Sequence, residues 1–194
     1  MLRAQPLRDV VGEGLRLLFV GINPSLRSAE VGHHFAGRGN PFWRLLHAAG
    51  LTPTALVAEE DDTLPALGLG ITNVCSRPTR SAAELTRAEL VEGAAELRKK
   101  ILSLRPEVVA LVGVSLYRLV LPGGGEPGPG AKRGRLGGAR VFVLPNPSGL
   151  NAAYPGFQDK LVWFRRLRRF SERPGPAGPG PRRASARAGP SSDR

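Results

Sequence analysis

The sequence predicts an α/β protein: a three-layer α/β/α fold around a central, mainly parallel four-stranded sheet. Short apolar runs that end at Gly or Pro are typical of strands covered on both faces. Helical patterns of apolar residues lie between these runs, and strands that alternate with helices join through right-handed crossovers into a parallel sheet. Ligands of such sheets bind at the carboxyl ends of the strands, so the loops there are the places to look for function.

The apolar runs and the periodic segments give the elements in chain order. The predicted strands are 15–20 (LRLLFV), 70–74 (GITNV), 107–112 (EVVALV) and 140–144 (RVFVL). The predicted helices are 40–49, 82–104, 115–121 and 157–170. In the second helix Ser81 and Glu84 have capping-box spacing, and Leu90, Ala94, Leu97, Ile101 and Leu104 form one apolar stripe. The segment 122–138 is rich in Gly and Pro and is interpreted as a connection outside the core.

Composition divides the chain into one domain over residues 1–170 and a tail over 171–194. The tail has no large apolar residue, so it cannot offset the entropy of ordering, and we expect it to be disordered. It carries +3 of the net charge of +12, so the folded part is basic as well. Such a charge favours a polyanionic partner.

The cysteine and histidine content limits the possible cofactors. Cys75 is the only cysteine, which excludes an internal disulfide and a four-thiolate iron–sulfur cluster. The three histidines match no metal-ligand spacing, so we expect neither metal nor cofactor. No apolar run is long enough for a membrane span and no secretory signal precedes the first strand, so we expect a cytoplasmic protein.

Two Asn-Pro loops follow the first and last predicted strands, and both fall at the same edge of the sheet. They are GINPSL from Gly21 and PNPSGLN ending at Asn151. Both loops belong to longer motifs by which the chain resembles the mismatch-specific uracil and thymine DNA glycosylases, a branch of the uracil-DNA glycosylase superfamily. These motifs are GINPSLRSAEVGHHFAGRGNPFW, GITNVCSRPT and LPNPSGLN. The resemblance covers residues 15–170. It implies that the 1–170 domain is a uracil-DNA glycosylase-like catalytic domain.

The resemblance implies a base-excision repair enzyme that hydrolyses the N-glycosidic bond of uracil mispaired with guanine and leaves an abasic site. Asn23 matches the asparagine that positions the attacking water, and we expect it to be the catalytic residue. An amide can orient water but is a poor base, so the bond must break first, through an oxocarbenium-like state. Neither loop contains a lysine for a Schiff base, which favours a monofunctional enzyme. The resemblance implies that its partner is double-stranded DNA with a mismatched or damaged base, and we expect a monomer that associates with the nucleoid through DNA binding.

The resemblance also assigns a base pocket and a wedge. Phe35 matches an aromatic residue that stacks on the extruded base, and Asn146 takes the place of a histidine that stabilises the base anion in other branches. Leu150 matches the wedge that fills the gap in the duplex. The remaining pocket residues are Gly21, Ile22, Pro24 and Ser28, and the remaining wedge and widowed-base residues are Ser148, Gly149 and Asn151.

Several features leave the preferred lesion open. Ser28 is typical of the uracil-preferring branch. The segments GHHFAGRGNPFW and DDTLP (61–65) and the pair Thr72-Asn73 are closer to the thymine-processing branch. In the family the first loop reads GINPG, and Ser25 replaces its last glycine. Ala152-Ala153 stand just after the wedge, where relatives often have an arginine. Asn40 also coincides with a position of the family motif, but a role as the cap of the predicted helix explains it equally well, so we assign it no catalytic role. The arginines of the last helix are either phosphate ligands or an ordinary solvated face. The alternatives are a mismatch-binding protein without catalysis, and a glycosylase of the same fold for deaminated purines or etheno adducts.

Overall fold

The computed structural model describes residues 7–123, 128–148 and 152–173. Its centre is a sheet of five strands in the order β2-β1-β3-β5-β4. The strands are β1 Leu17–Gly21, β2 Leu69–Asn73, β3 Val108–Val112, β4 Gly130–Leu136 and β5 Ala139–Leu144. All neighbours pair in parallel except β4, which pairs antiparallel with β5. The predicted three-layer α/β fold is confirmed, with five strands instead of four.

The additional strand, β4, lies in the segment that was interpreted as a connection. That interpretation was wrong because an edge strand needs little apolar surface: every second residue of β4 is exposed, and only Leu136 is buried. A register shift between Lys132 and Arg135 interrupts its pairing with β5. At the opposite edge, the backbone of Val10 forms two hydrogen bonds with Ile71 of β2, at 2.9 and 2.7 Å.

The described residues form five α-helices: α1 Leu26–Val31, α2 Phe42–Ala48, α3 Arg87–Leu104, α4 Val114–Val120 and α5 Phe157–Glu172. The sequence patterns missed α1 and the 3-10 segment Ala58–Leu67, because the first is short and the second is acidic and aperiodic. Within the described residues, no helix is both long and apolar enough to cross a bilayer.

Two predicted helix boundaries need correction. The Ser81–Glu84 box caps only the 3-10 turn Ala82–Glu84, because Leu85 is extended, with ψ of 134°. A second box, Thr86 with Glu89, begins α3. The helix α5 continues to Glu172, past the domain boundary expected at residue 170, because Ser171 is buried and accepts a hydrogen bond from the Arg16 guanidinium at 2.8 Å. The part of the expected tail beyond residue 173 lies outside the described residues.

The two faces of the sheet bury separate apolar clusters. One face packs against α2 and α5, and the other against α3 and α4. The first cluster is aromatic: Phe42 is fully buried and its ring meets those of Phe19, Trp43 and Phe164 edge-on, with centroids 5.3 to 6.1 Å apart. This rigid packing holds the carboxyl ends of the strands in place, and the loops there form the candidate site.

Candidate active site

A cavity of about 790 Å³ opens at the carboxyl ends of the strands. Loops that follow β1, β2, β3 and β5 all contribute to its lining, so the two Asn-Pro loops do converge on one cleft. The described residues among those predicted for the site all line it: Gly21, Ile22, Asn23, Pro24, Ser28, Phe35, Asn146 and Ser148. The predicted wedge residues Gly149, Leu150 and Asn151 lie outside the described residues.

The Asn23 side chain is held by its nitrogen. Nδ2 donates to the Arg77 carbonyl at 2.9 Å and to Thr79 Oγ1 at 2.7 Å, with a longer contact to the Pro24 carbonyl at 3.3 Å. Both amide protons are therefore used by the protein. Among the described residues, none donates a hydrogen bond to Asn23 Oδ1, so the carbonyl end of the amide is the end that can accept a hydrogen bond from water.

Thr79 determines the orientation of the Asn23 carboxamide. Its side chain is buried, with 3% exposed, and its hydroxyl donates to the Ser81 carbonyl at 2.8 Å. Because the one hydroxyl proton is used there, Oγ1 can only accept from Asn23, which determines which way the carboxamide faces. Sequence reasoning did not single out Thr79, although it closes the quoted motif GITNVCSRPT. The signal was its position in a second loop at the same edge of the sheet.

The loop that supplies the Arg77 carbonyl is itself fixed to α3. The Arg77 guanidinium donates to both oxygens of Glu89, at 2.6 and 3.0 Å, and to the Glu84 carbonyl at 2.8 Å. Hydrogen bonds from Arg77, and then from the backbone and hydroxyl of Thr86, lower the pKa of Glu89 to about 2. The cap of α3 and the backbone acceptor of Asn23 thus depend on one carboxylate.

This carboxylate gives an expected pH dependence. A carboxyl group whose pKa is lower in the folded state stabilises the fold above its ordinary pKa of 4.5, and this stabilisation is lost as the pH falls from there through about 2. We expect Glu89→Gln to unfold at a lower urea concentration than the wild type at neutral pH, and the difference to shrink towards zero over that acidic range. Glu96→Gln on the same helix, which loses only an exposed pair with Lys99, is the control and should change little. A difference that persists unchanged in acid would contradict this role of Glu89.

Phe35 forms an aromatic platform in the cavity. Its ring stacks on Phe42 with centroids 3.8 Å apart and planes 19° apart, and the Phe35 side chain also lines the cavity. The Phe35 backbone is left-handed, with φ of 54°, a conformation that costs a bulky residue roughly 1–2 kcal/mol. Neighbouring contacts must therefore hold it there.

A buried carboxylate supplies these contacts. Asp61 is 4% exposed, and its two oxygens accept from the His34 amide at 2.8 Å and contact His33 Nδ1 at 3.0 Å. The His34 ring donates to the Arg8 carbonyl at 2.8 Å, and burial lowers the pKa of His34, so the ring is neutral at neutral pH. The paired histidines thus clamp the backbone on the amino side of Phe35. No group of three or more potential metal-ligating side chains forms among the described residues.

The remaining pocket residues have local explanations. A Cβ atom at Gly21 would overlap Asn73 Oδ1, so glycine lets this second amide approach the pocket floor; Asn73 lines the cavity and was not among the predicted site residues. Ser28 Oγ accepts from the Ala36 amide at 3.2 Å. Ser25 has φ of −71° and caps α1 through the Ser28 amide, so no glycine is required at this position of the motif.

Two more asparagines of the lining shape their own loops. Asn146 Oδ1 accepts from the Ser148 amide at 2.9 Å, which closes an Asx turn in the second Asn-Pro loop. Asn40 Oδ1 accepts from the Phe42 amide at 3.0 Å, as expected of a side chain that satisfies the first turn of a helix.

The chemistry available in this cavity is that of amides, hydroxyls and backbone. Its described lining contains no aspartate, glutamate or lysine; the charged or titratable side chains there are Arg80, the neutral His34 and Tyr154. Such a lining can orient water and stabilise an anion through N–H groups. Within the described residues it offers neither a strong base nor an amine nucleophile.

Comparisons with known proteins agree with this fold. The solution NMR structure of a protein from Methanosarcina acetivorans, whose name proposes it as a uracil DNA glycosylase, superposes with a TM-score of 0.56. The alignment covers 85% of this chain and 98% of that one at 21% sequence identity, so the likeness is one of fold. The family model of the uracil DNA glycosylase superfamily matches residues 9–168. The chain belongs to the uracil DNA glycosylase superfamily.

Proposed function

We propose that this protein is a monofunctional DNA glycosylase that removes uracil mispaired with guanine. The base is flipped out of the duplex into the cavity, its N-glycosidic bond is hydrolysed, and an abasic site remains. Membership of the superfamily supports action on DNA and glycosylase chemistry. The lesion and the order of steps are inferred from the site.

The observation that carries the proposal is the anchored amide of Asn23 in a cavity whose described lining has no carboxylates. With Nδ2 held by Arg77 and Thr79, Oδ1 can accept a hydrogen bond from a water molecule, which directs the water oxygen at the sugar while the water keeps its proton. An amide oxygen cannot take up that proton at neutral pH. Water held in this way reacts only with a strongly electrophilic carbon, which requires the bond to the base to break first.

The leaving base must therefore depart as a stabilised anion. Backbone N–H groups of the strand-end loops can donate hydrogen bonds to its oxygens and so stabilise the developing negative charge without reorganisation. Stacking on Phe35, itself supported by Phe42, replaces part of the stacking lost from the duplex. Because uracil is a better leaving group than thymine, this arrangement favours uracil.

Selection of the mismatch follows from the cost of flipping. A mispaired base is more easily extruded than a paired one, so G·U is processed before A·U even without a contact to the opposite base. The expected wedge at Leu150 would add to this preference by occupying the gap in the duplex.

The test is release of free base from duplexes containing G·U, G·T, A·U or G·hypoxanthine, with single-stranded uracil DNA alongside. Alkaline scission of the abasic product reports each reaction. We expect G·U to react fastest and no strand break before alkali. Binding of mismatched duplexes without release of any base would make the protein a mismatch-binding protein.

The size of the cavity favours one alternative substrate class. At about 790 Å³ it lies in the upper part of the range for small-molecule sites, so it can hold more than one pyrimidine ring. Deaminated purines or etheno adducts would fit the same platform and the same water. Faster release of hypoxanthine than of uracil would transfer the assignment to these larger bases.

A further inference from the structure

A ladder of side chains leads from the cavity to the outer face of α5. Tyr154, which lines the cavity, meets the ring of Trp163 edge-on, with centroids 6.4 Å apart. The guanidinium of Arg166 lies over the ring of Trp163, 4.5 Å from its centroid. These three residues, Tyr154, Trp163 and Arg166, are called the rim ladder.

A second segment of the cavity wall reaches the same tryptophan. Gly128 and Pro129 line the cavity, and Gly130 follows at the start of β4. A Cβ atom at Gly130 would lie 3.5 Å from the Trp163 ring. Trp163 therefore lies against both segments that border this side of the cavity, and Arg166 packs on the same ring.

Arg166 has the properties of a prepared anion ligand. Its side chain is exposed, and it forms no ion pair with any carboxylate of the described residues. Stacking on Trp163 restricts its rotamers, which lowers the entropy lost when it binds. The planar guanidinium can donate two parallel hydrogen bonds to a phosphate.

The distance suits DNA whose flipped nucleotide occupies the cavity. The two ring contacts place the Arg166 guanidinium within about 11 Å of the Tyr154 ring. Since phosphates of one strand recur every 3.4 Å along the duplex axis, this is about three base-pair steps. The uncharged Ala152-Ala153 segment beside Tyr154 leaves Arg166 as the cation of this rim ladder.

We propose that the rim ladder binds the phosphodiester backbone of the DNA strand that enters the cavity, with Arg166 as the phosphate ligand and Trp163 as its support. This inference rests on the proposed function for its choice of DNA. It concerns binding alone, so it can be tested without any chemical step.

The experiment measures the affinity of the full chain for a duplex with a non-hydrolysable abasic analogue opposite guanine, between about 50 and 200 mM salt. We expect Arg166→Gln to reduce the slope of log affinity against log salt by about 0.9, the value for one phosphate contact. The affinity loss should be about 15-fold at the lowest salt and about 4-fold at the highest. Arg166→Lys should keep the slope.

Arg165→Gln is the matched control. It removes the same charge from the adjacent position, about 100° away around the helix axis, and Arg165 is equally exposed. An unchanged slope in Arg166→Gln, or an equal change in Arg165→Gln, would overturn the proposal. If the slope depends on Arg166 but the wild type releases no base, the binding surface stands and the proposed glycosylase activity fails.

Discussion

Replacing Asn23 with alanine is expected to slow base release by about 1000-fold while the affinity for mismatched DNA stays within a few-fold of the wild type. The estimate reflects the loss of a positioned water, since groups that handle the attacking nucleophile contribute roughly 100- to 10,000-fold. Binding should persist because the platform and the basic surface are unchanged. Single-turnover release of uracil from a G·U duplex, with affinity measured in parallel, is the measurement.

Variants of Thr79 should reduce base release less than Asn23→Ala does. Thr79→Val retains the shape of the side chain but removes the acceptor of Asn23 Nδ2, which leaves one amide proton without its partner. The Asn23 amide is half-buried, so the lost hydrogen bond costs about 0.5–1.5 kcal/mol and release should slow by roughly 2- to 12-fold. Thr79→Ser should recover most of the rate. If Asn23→Ala keeps a rate within about tenfold of the wild type, another group positions the water.

Replacing Phe42 with alanine is expected to have the largest effect on stability. The ring is fully buried among Phe19, Phe35, Trp43 and Phe164, so its removal leaves a cavity between β1, α2 and α5. Truncation of a buried phenylalanine costs about 3–5 kcal/mol. For a domain of this size the unfolding midpoint should fall by roughly 10 °C. Urea and thermal unfolding measure it.

The variant Phe42→Leu distinguishes the contribution of Phe42 to core packing from its role as the ring that supports Phe35. Phe42→Leu fills most of the space and should cost less stability, but Phe35 loses the flat ring on which it stacks at 3.8 Å. We therefore expect a larger fall in base release than the remaining stability would explain. Wild-type activity in Phe42→Leu would mean that Phe35 does not need an aromatic support. A loss below about 1 kcal/mol in Phe42→Ala would contradict the packing argument.

The sequence patterns predicted the elements that are buried on both sides. The strands β1 and β3 are continuous apolar runs, β5 has one interruption at Arg140, and this pattern depends only on local composition. The strand β4 was missed because its stability comes from pairing with β5 rather than from burial. Patterns of this kind contain no information about pairing partners that lie at the surface.

In the candidate site, too, some residues could be predicted from the sequence and others could not. The loop residues around Asn23 and Phe35 could be chosen from their motifs and from the edge of the sheet they occupy. The groups that hold them could not. Asp61 lies 27 residues from His34 in sequence, and Thr79 lies 56 residues from Asn23. Their contacts depend on how the 3-10 segment and the loop after β2 fold over the sheet, which is determined by tertiary packing.

The two edges of the sheet are closed to further strands by different means. On one side the backbone of Val10 occupies hydrogen-bonding groups of β2. On the other, β4 presents exposed Arg133 and Arg135 and an interrupted register. Charged, irregular edges oppose the strand addition that leads to aggregation. Chains crowded side by side along a polyanion would therefore repel one another at this edge, and the fold should stay soluble where its local concentration is highest.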